Sequence, residues 1–291
     1  MDYNKGKDYI EIFGKNDFDI KQILECGQVF SYQENEDCFL VYSVDKKAKV
    51  TETDRGYIIK TDTPDYFENY FDLHTDYGAI KTKLSKYEIL QKPIEFGSGI
   101  RILKQNLFET LISFIVSANN NIKRIQLILN RLREKLGKDM GTYHAFPTRE
   151  ELLSVDMKFF TEIGAGYRDK YLFNVVRQVD EKMLENWKSL PTNELRKKLI
   201  HFRELDQKLR IVCFCLVMEK EMFFLLIHGF RKCITNFMTI LKIGRKSETT
   251  WQLSLEICPV MLSNICSISW EITKFLLFKN IQKEIAYCKF C

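Results

Sequence analysis

Beyond Arg203 the sequence nearly runs out of the residues that make turns. Eleven of its thirteen glycines and four of its five prolines come earlier, leaving only Gly229, Gly244, Pro259 and a single aspartate, Asp206, in the tail. Chain reversals draw on these residue types, so the composition breaks at that point. An apolar leader segment is also missing, since the chain opens Met1-Asp-Tyr-Asn-Lys-Gly-Lys-Asp. No apolar run approaches the roughly 18 residues of a membrane helix. We therefore expect an intracellular, cytoplasmic protein with no membrane partner. Metal-ligand spacing is absent as well. Cys258, Cys266, Cys288 and Cys291 match neither a zinc ribbon nor a compact four-cysteine cluster. The nine cysteines, Cys26 and Cys38 early and seven after Arg203, are expected to be reduced thiols, with no metal or cofactor.

What is present is ordinary for a folded protein. A chain of 291 residues is long enough for two domains, because single cores stop growing near about 250–300 residues. The formal net charge of +5 permits a polyanionic partner without requiring one. From Phe39 to Thr61 the segments Phe39-Leu-Val-Tyr42, Lys49-Val-Thr-Glu52 and Tyr57-Ile-Ile-Lys-Thr61, broken by Asp54-Arg-Gly56, predict an antiparallel meander. Helical spacing follows over 66–87, and Pro93 to Gly99 reads as a linker, placing a boundary near residue 95. Leu107, Leu111, Phe114 and Ile115 form one helical stripe. Ile125, Ile128, Leu132 and Leu136 form another, closed by Gly137. Thr148 with Glu151 predicts a capping box, and Leu172, Val175, Val176 and Val179 mark a further helix. Pro191-Thr192 predicts the start of one that runs to His201. There is no internal repeat.

The most informative stretch runs from Phe108 to Arg124, where an apolar helix stops in Asn119-Asn-Asn121 and restarts with Ile-Lys-Arg. Adjacent amides can fill a hole in a base stack and hydrogen-bond an exposed base edge, with Arg124 at hand for phosphate or base. The same triplet also suits a solvated turn with an N-cap.

Four segments, in order and at family spacing, resemble the 8-oxoguanine DNA glycosylases of the helix-hairpin-helix superfamily. They are Glu25-Cys-Gly-Gln-Val-Phe30, Gly99-Ile-Arg-Ile-Leu-Lys-Gln105, the asparagine triplet with Arg124, and Gly164-Ala-Gly-Tyr-Arg168. The resemblance covers roughly residues 8–203. It implies an α+β fold: an N-terminal antiparallel sheet domain over 1–95, then an all-α helix-hairpin-helix glycosylase domain whose first part is 96–203. It also implies a monomer acting on double-stranded DNA that contains oxidised guanine, in the cytoplasm or, in a bacterium, at the nucleoid. By resemblance Asn119 enters the gap left when the damaged base leaves the stack, an extrusion that costs a few kcal/mol. Arg124 and Arg168 address the estranged cytosine, and Tyr167 is the wedge that buckles the opposite strand. Gly27 offers its carbonyl to the proton on N7 of 8-oxoguanine, a close approach that glycine permits. Taken alone, Gly27 also suits a simple chain turn, and Tyr167-Arg168 an ordinary helix start. Ser31 departs from the arginine usual after the phenylalanine.

Past residue 203 the family pattern stops. A hairpin of the type G-V-G-P-K-V-A-D-C and a later P-V-D segment are both missing. Arg203-Glu-Leu-Asp-Gln-Lys-Leu-Arg-Ile-Val-Cys213 and Met222-Phe-Phe-Leu-Leu-Ile-His-Gly229 stand in their place. The genetic code connects the two. When each codon is regrouped as the last base of the one before plus its own first two, Glu204 to Val212 can read G-V-G-P-K-V-A-D-C. In the same frame Met222 to Gly229 can read D-V-F-P-V-D-T-W. A single missing G near codon 204 suffices, and it also accounts for the compositional break, making 204–291 a frameshifted, aberrant tail.

By resemblance, the catalytic lysine that forms a Schiff base and allows β-elimination corresponds to Lys208. Such an amine must be partly neutral to attack. Glu204 and Asp206 replace the glycines whose amides bind phosphate, and Ile227 replaces the essential aspartate. In this setting Lys208 reads equally well as a solvated lysine on a basic amphipathic segment. Three readings follow: a base-excision-repair glycosylase and lyase damaged in its catalytic half, a non-catalytic binder of distorted DNA, and the translation of a pseudogene or a misread frame.

Overall fold

A computed structural model describes residues 1–86, 88–188, 190 and 194. Six strands make one antiparallel sheet: β1 (Asp2–Lys5), β2 (Tyr9–Phe13), β3 (Tyr32–Glu34), β4 (Phe39–Ser43), β5 (Lys46–Thr53) and β6 (Gly56–Lys60), in the order β1-β2-β6-β5-β4-β3. Apolar residues at alternate positions fall on one face of a pleated strand. Ile10, Ile59 and Val50 are register partners in turn across β2, β6 and β5, and Val41 partners Ala48. All five are fully buried. The predicted meander is β4-β5-β6, and the three strands before it extend the sheet, β1 and β2 beyond β6 and β3 beyond β4.

Helix α1 (Ile20–Glu25) and helix α2 (Pro64–Tyr70) contribute to the core on that face. Phe18 sits 5.2 Å from Tyr57 and 5.5 Å from Phe71, ring centre to ring centre. Helix α3 (Tyr77–Leu84) and helix α4 (Glu88–Phe96) follow. Here the sequence reading needs correction, because Pro93 lies inside α4 and does not open a linker. Proline gives up the bond from its own nitrogen and its ring crowds the carbonyl four residues back, but its own carbonyl still accepts. The Gly97 amide donates to that carbonyl at 3.0 Å, so the helix closes there, and a turn over 97–99, closed by the Ile100 amide on the Gly97 carbonyl at 3.1 Å, follows it.

The remaining helices are α5 (Leu107–Ser117), α6 (Ile122–Leu136), α7 (Arg149–Leu153), α8 (Met157–Glu162), α9 (Asp169–Gln178) and α10 (Glu181–Lys188), with a 3-10 turn at Gly166–Arg168. The expected stripe on α5 is an understatement. Every residue from Phe108 to Val116 is buried, Glu109, Thr110 and Ser113 included, as befits the central helix of a bundle. Thr148 and Glu151 form the predicted reciprocal capping box on α7. The helical core gathers Leu111, Ile115, Ile128, Leu129, Val175 and Trp187. Among the described residues no helix is long and apolar enough to cross a membrane, and no group of side chains is arranged to hold a metal ion. The helix expected over 191–201, together with Lys208 and Ile227, lies outside the described residues.

Candidate nucleic-acid interface

The three asparagines between α5 and α6 do three different things. Asn121 is the N-cap of α6, its side chain accepting from the Arg124 amide at 3.0 Å. Asn120 turns back and donates Nδ2 to the Val116 carbonyl at 3.2 Å, serving the end of α5. Asn119 does neither. Its φ of 49° is left-handed, a conformation that costs a non-glycine residue about 1 kcal/mol or more. Asn119 is exposed, and its Nδ2 donates to the Tyr167 hydroxyl at 3.3 Å. The solvated-turn reading is thus right for Asn120 and Asn121, and Asn119 is left over for other work.

What holds Asn119 comes from 48 residues further on. The 3-10 turn before α9 delivers Tyr167 and Arg168 to the end of α5. The Tyr167 hydroxyl donates to the Ala118 carbonyl at 3.2 Å. Arg168 is 4% exposed, and its Nε donates to the same carbonyl at 2.7 Å. Its Nη2 reaches the carbonyls of both Ala118 and Asn119, the latter at 3.1 Å, and Nη1 reaches that of Ala165 at 3.1 Å. The guanidinium also lies over the Tyr167 ring, 4.5 Å from its centre. Tyr167 itself is 54% exposed, with Tyr171 edge-on behind it at 6.3 Å. Arg124, in the first turn of α6, is exposed, and among the described residues nothing holds its guanidinium. Tyr167-Arg168 is indeed a helix start, but one whose side chains reach back to the asparagine turn.

Gly27 sits elsewhere, just past the end of α1, and among the described contacts nothing joins it to the Asn119 cluster. Its φ of 89° is open to glycine and costly for other residues. The segment around it is pinned by Gln28, a residue the sequence alone did not single out. Gln28 is buried. Its Nε2 donates to the carbonyls of Ile23 at 3.0 Å and Arg101 at 2.8 Å, and its Oε1 accepts from the Leu103 amide at 2.9 Å. Gln105 closes the frame by donating to the Gln28 carbonyl at 2.8 Å. Two of the four motifs therefore interlock through backbone groups. Gly99 brings the second motif close to the start of α1, since a Cβ there would stand 2.2 Å from the Cβ of Asp19, the N-cap of that helix.

The next residues divide between the two cores. Val29 packs into the sheet core, while Phe30 enters the helical one, edge-on to Phe114 at 5.5 Å. Gly27 is thereby held where the sheet meets the helices. Gln28→Ala would take a hydrogen-bond partner from three backbone groups, of which the Ile23 carbonyl keeps the Cys26 thiol at 3.1 Å, and a buried group that loses its partner costs about 1–3 kcal/mol. We expect it to lower the urea unfolding free energy by about 2 kcal/mol or more.

Ser31, the departure noted above, is buried beside an ion pair. Its Oγ donates to Glu109 Oε1 at 2.8 Å and accepts from Arg133 Nη2 at 2.6 Å, while Arg133 pairs with Glu109 at 2.7 Å. Glu109 Oε2 also accepts from the Val44 amide at 2.8 Å. One carboxylate thus ties β4, α5, α6 and the Gly27 segment together. Burial raises the surrounding phenols of Tyr42, Tyr66 and Tyr70, which stay neutral around it.

Comparison with known proteins points to one family. Residues 12–111 match the family model described as 8-oxoguanine DNA glycosylase, N-terminal domain. An N-glycosylase/DNA lyase of Saccharomyces cerevisiae is 32% identical over 205 residues, which is 62% of this chain and 53% of that protein. The chain thus spans about half the length of that curated relative. The apo crystal structure of Clostridium acetobutylicum 8-oxoguanine glycosylase/lyase superposes with a TM-score of 0.67 at 33% identity, covering 75% of this chain and 80% of the other. The complex of that clostridial enzyme with double-stranded DNA containing cytosine opposite 8-oxoguanine gives 0.68 at 34%, covering 76% and 80%. Likeness at this identity over four-fifths of a solved relative, together with the interlocked motifs, places the chain in the 8-oxoguanine DNA glycosylase/lyase family.

Proposed function

We propose that this chain is, by descent, a base-excision-repair DNA glycosylase that removes 8-oxoguanine from duplex DNA and nicks the strand as an AP lyase, working as a monomer in the cytoplasm. The observation that carries the reading is the meeting of Asn119 with Tyr167 and Arg168 across 48 residues of sequence. A strained, exposed amide flanked by an exposed aromatic ring and cations suits a gap in a base stack. Asn119 would occupy the void, Tyr167 would press on the opposite strand, and Arg124 would reach the unpaired cytosine. The Gly27 carbonyl, at the seam between the cores, would accept from N7–H of the extruded 8-oxoguanine, a proton guanine lacks.

The chemistry belongs to the segment after residue 203. A lysine amine at position 208 would attack C1′ of the flipped nucleotide as the glycosidic bond breaks and the base leaves with a proton. The resulting Schiff base would allow loss of the 3′ phosphate by β-elimination. In this chain Ile227 cannot steady the positive charge that develops on the sugar. Glu204 and Asp206 repel a phosphate that hairpin amides would bind. We infer that the chain as it stands recognises a lesion without excising it, and that the deficit comes from a one-base frameshift near codon 204.

Equilibrium binding tests the recognition half. The chain is expected to prefer an 8-oxoguanine:cytosine duplex over the matching guanine:cytosine duplex, and Asn119→Ala should reduce that preference by about tenfold, the worth of part of the unstacking cost. Equal affinity for the two duplexes in the unmutated chain would overturn the reading.

A further inference from the structure

The peptide between Gly27 and Gln28 has no hydrogen bond of its own. Among the described residues nothing donates to the Gly27 carbonyl and nothing accepts from the Gln28 amide. Gly27, at a φ of 89°, is partly exposed, and a glycine lets such a peptide rotate at little cost. The residue after it is held four times over, by side-chain bonds to Ile23, Arg101 and Leu103 and by the Gln105 side-chain amide on its carbonyl. We propose that Gln28 is a positioning residue that, with Gln105, locks the Gly27–Gln28 peptide in one orientation, so that the carbonyl offered to N7–H of the lesion cannot turn away. The inference rests on the duplex-recognition reading above and adds to it a buried side chain, 2% exposed.

Local geometry makes the lock work. The side-chain bonds set the direction from the Gln28 Cα to its Cβ, and the bond from Gln105 sets the direction to the carbonyl carbon. A tetrahedral carbon with these two directions set has the direction to its nitrogen set as well. The peptide is planar and trans, so its C=O points opposite to its N–H, and fixing the Gln28 nitrogen fixes where the Gly27 oxygen points. On the other side the Cys26 amide closes α1 on the Gln22 carbonyl at 3.2 Å, which sets where Gly27 stands but not how its carbonyl is turned. The frame that Gln28 grips is itself anchored, because the fully buried Arg101 guanidinium donates to the carbonyls of Phe71 at 3.0 Å and Thr75 at 2.9 Å. Orientation matters because 8-oxoguanine carries a proton on N7 where guanine carries a lone pair. A carbonyl facing that position attracts the first and repels the second, and one turned aside does neither.

Three duplexes separate the lock from a merely structural role. One carries 8-oxoguanine opposite cytosine, the second guanine opposite cytosine, and the third a tetrahydrofuran abasic analogue opposite cytosine, which has no base to meet the Gly27 carbonyl. Gln28→Met keeps the length of the side chain and removes its hydrogen bonds. It should cut the preference for 8-oxoguanine over guanine by about tenfold, the worth of one hydrogen bond, and leave the abasic affinity as it is in the unmutated chain. Gln105→Ala frees only the Gln28 carbonyl and should cut the preference by about threefold, and it decides the matter if Gln28→Met does not fold. NMR of the free protein reads the peptide directly, with one sharp set of backbone signals at positions 27 and 28 in the unmutated chain and exchange broadening or a second set in Gln28→Met. Equal weakening of all three duplexes in a folded Gln28→Met, or an unchanged preference in both variants, would overturn the proposal. If the unmutated chain binds the abasic duplex without preferring 8-oxoguanine over guanine, the recognition reading fails at Gly27. The NMR result then still decides the lock, which a single sharp set of signals in Gln28→Met overturns and a doubled set upholds.

Discussion

Restoring one G near codon 204 is expected to convert a chain that leaves no borohydride-trapped adduct on an 8-oxoguanine:cytosine duplex into one that does, with base release faster by on the order of a thousandfold or more. That magnitude is what removing a nucleophile's supporting groups costs in other enzymes. The effect follows from what the proposed frameshift substitutes. A lysine attacks only as the neutral amine, so it needs neighbours that lower its pKa and a carboxylate that steadies the sugar as positive charge develops. Lys208 is present in either frame, because an A-ended codon before AAA or AAG still yields lysine on regrouping. Its partners are not: glycines give way to Glu204 and Asp206, and an aspartate gives way to Ile227. Sequencing the DNA over codons 195–235 shows whether the base is truly missing. A trapped adduct from the uncorrected chain would sink the account and point to Lys208, or another amine, working in an unfamiliar site.

The second large effect is on stability. Glu109→Ala should lower the unfolding free energy by about 3–5 kcal/mol, because it leaves the buried Arg133 cation without its carboxylate. Arg133 is 5% exposed and its Nε already has no hydrogen-bond partner among the described residues, so it has little in reserve. The Val44 amide and the Ser31 hydroxyl would lose a partner at the same time. A double replacement, Glu109→Leu with Arg133→Met, should recover most of the loss, since apolar residues of similar volume often replace a buried ion pair at little cost. Chemical denaturation of Glu109→Leu, of Arg133→Met and of the double closes the cycle. Equal losses in Glu109→Ala and in the double variant would mean that packing at this seam matters more than charge. That outcome would shift attention to Phe30 and Phe114, whose edge-on contact crosses the same region.

Much of the molecule was legible in the order of its residues. Alternating apolar positions announced β4, β5 and β6, and the spacing of Ile125, Ile128 and Leu132 announced α6, because side-chain direction along a strand or helix depends only on local geometry. Thr148 and Glu151 marked a helix start for the same reason. The four motifs with their order and spacing pointed to the family, and the two altered segments after Arg203 pointed to a shifted frame. Local rules were weaker where two influences compete. Pro93 looked like a boundary, yet its nitrogen and ring act only on the turn before it, and the turn beyond it closes on its carbonyl. Gln28 passed unnoticed as one polar residue in a motif, since its partners at Ile23, Arg101 and Leu103 are brought to it only by folding. The sequence by itself determined the meander, the helices over 107–117 and 122–136, the family and the change of composition after residue 203, all of which depend on near neighbours or on motif order. Only the tertiary structure decided which asparagine is spare, why Ser31 is tolerated beside Glu109 and Arg133, and that Arg168 faces inward while Arg124 faces out. Those choices depend on which buried carbonyls and charges need a partner, and such needs arise between residues far apart in the chain.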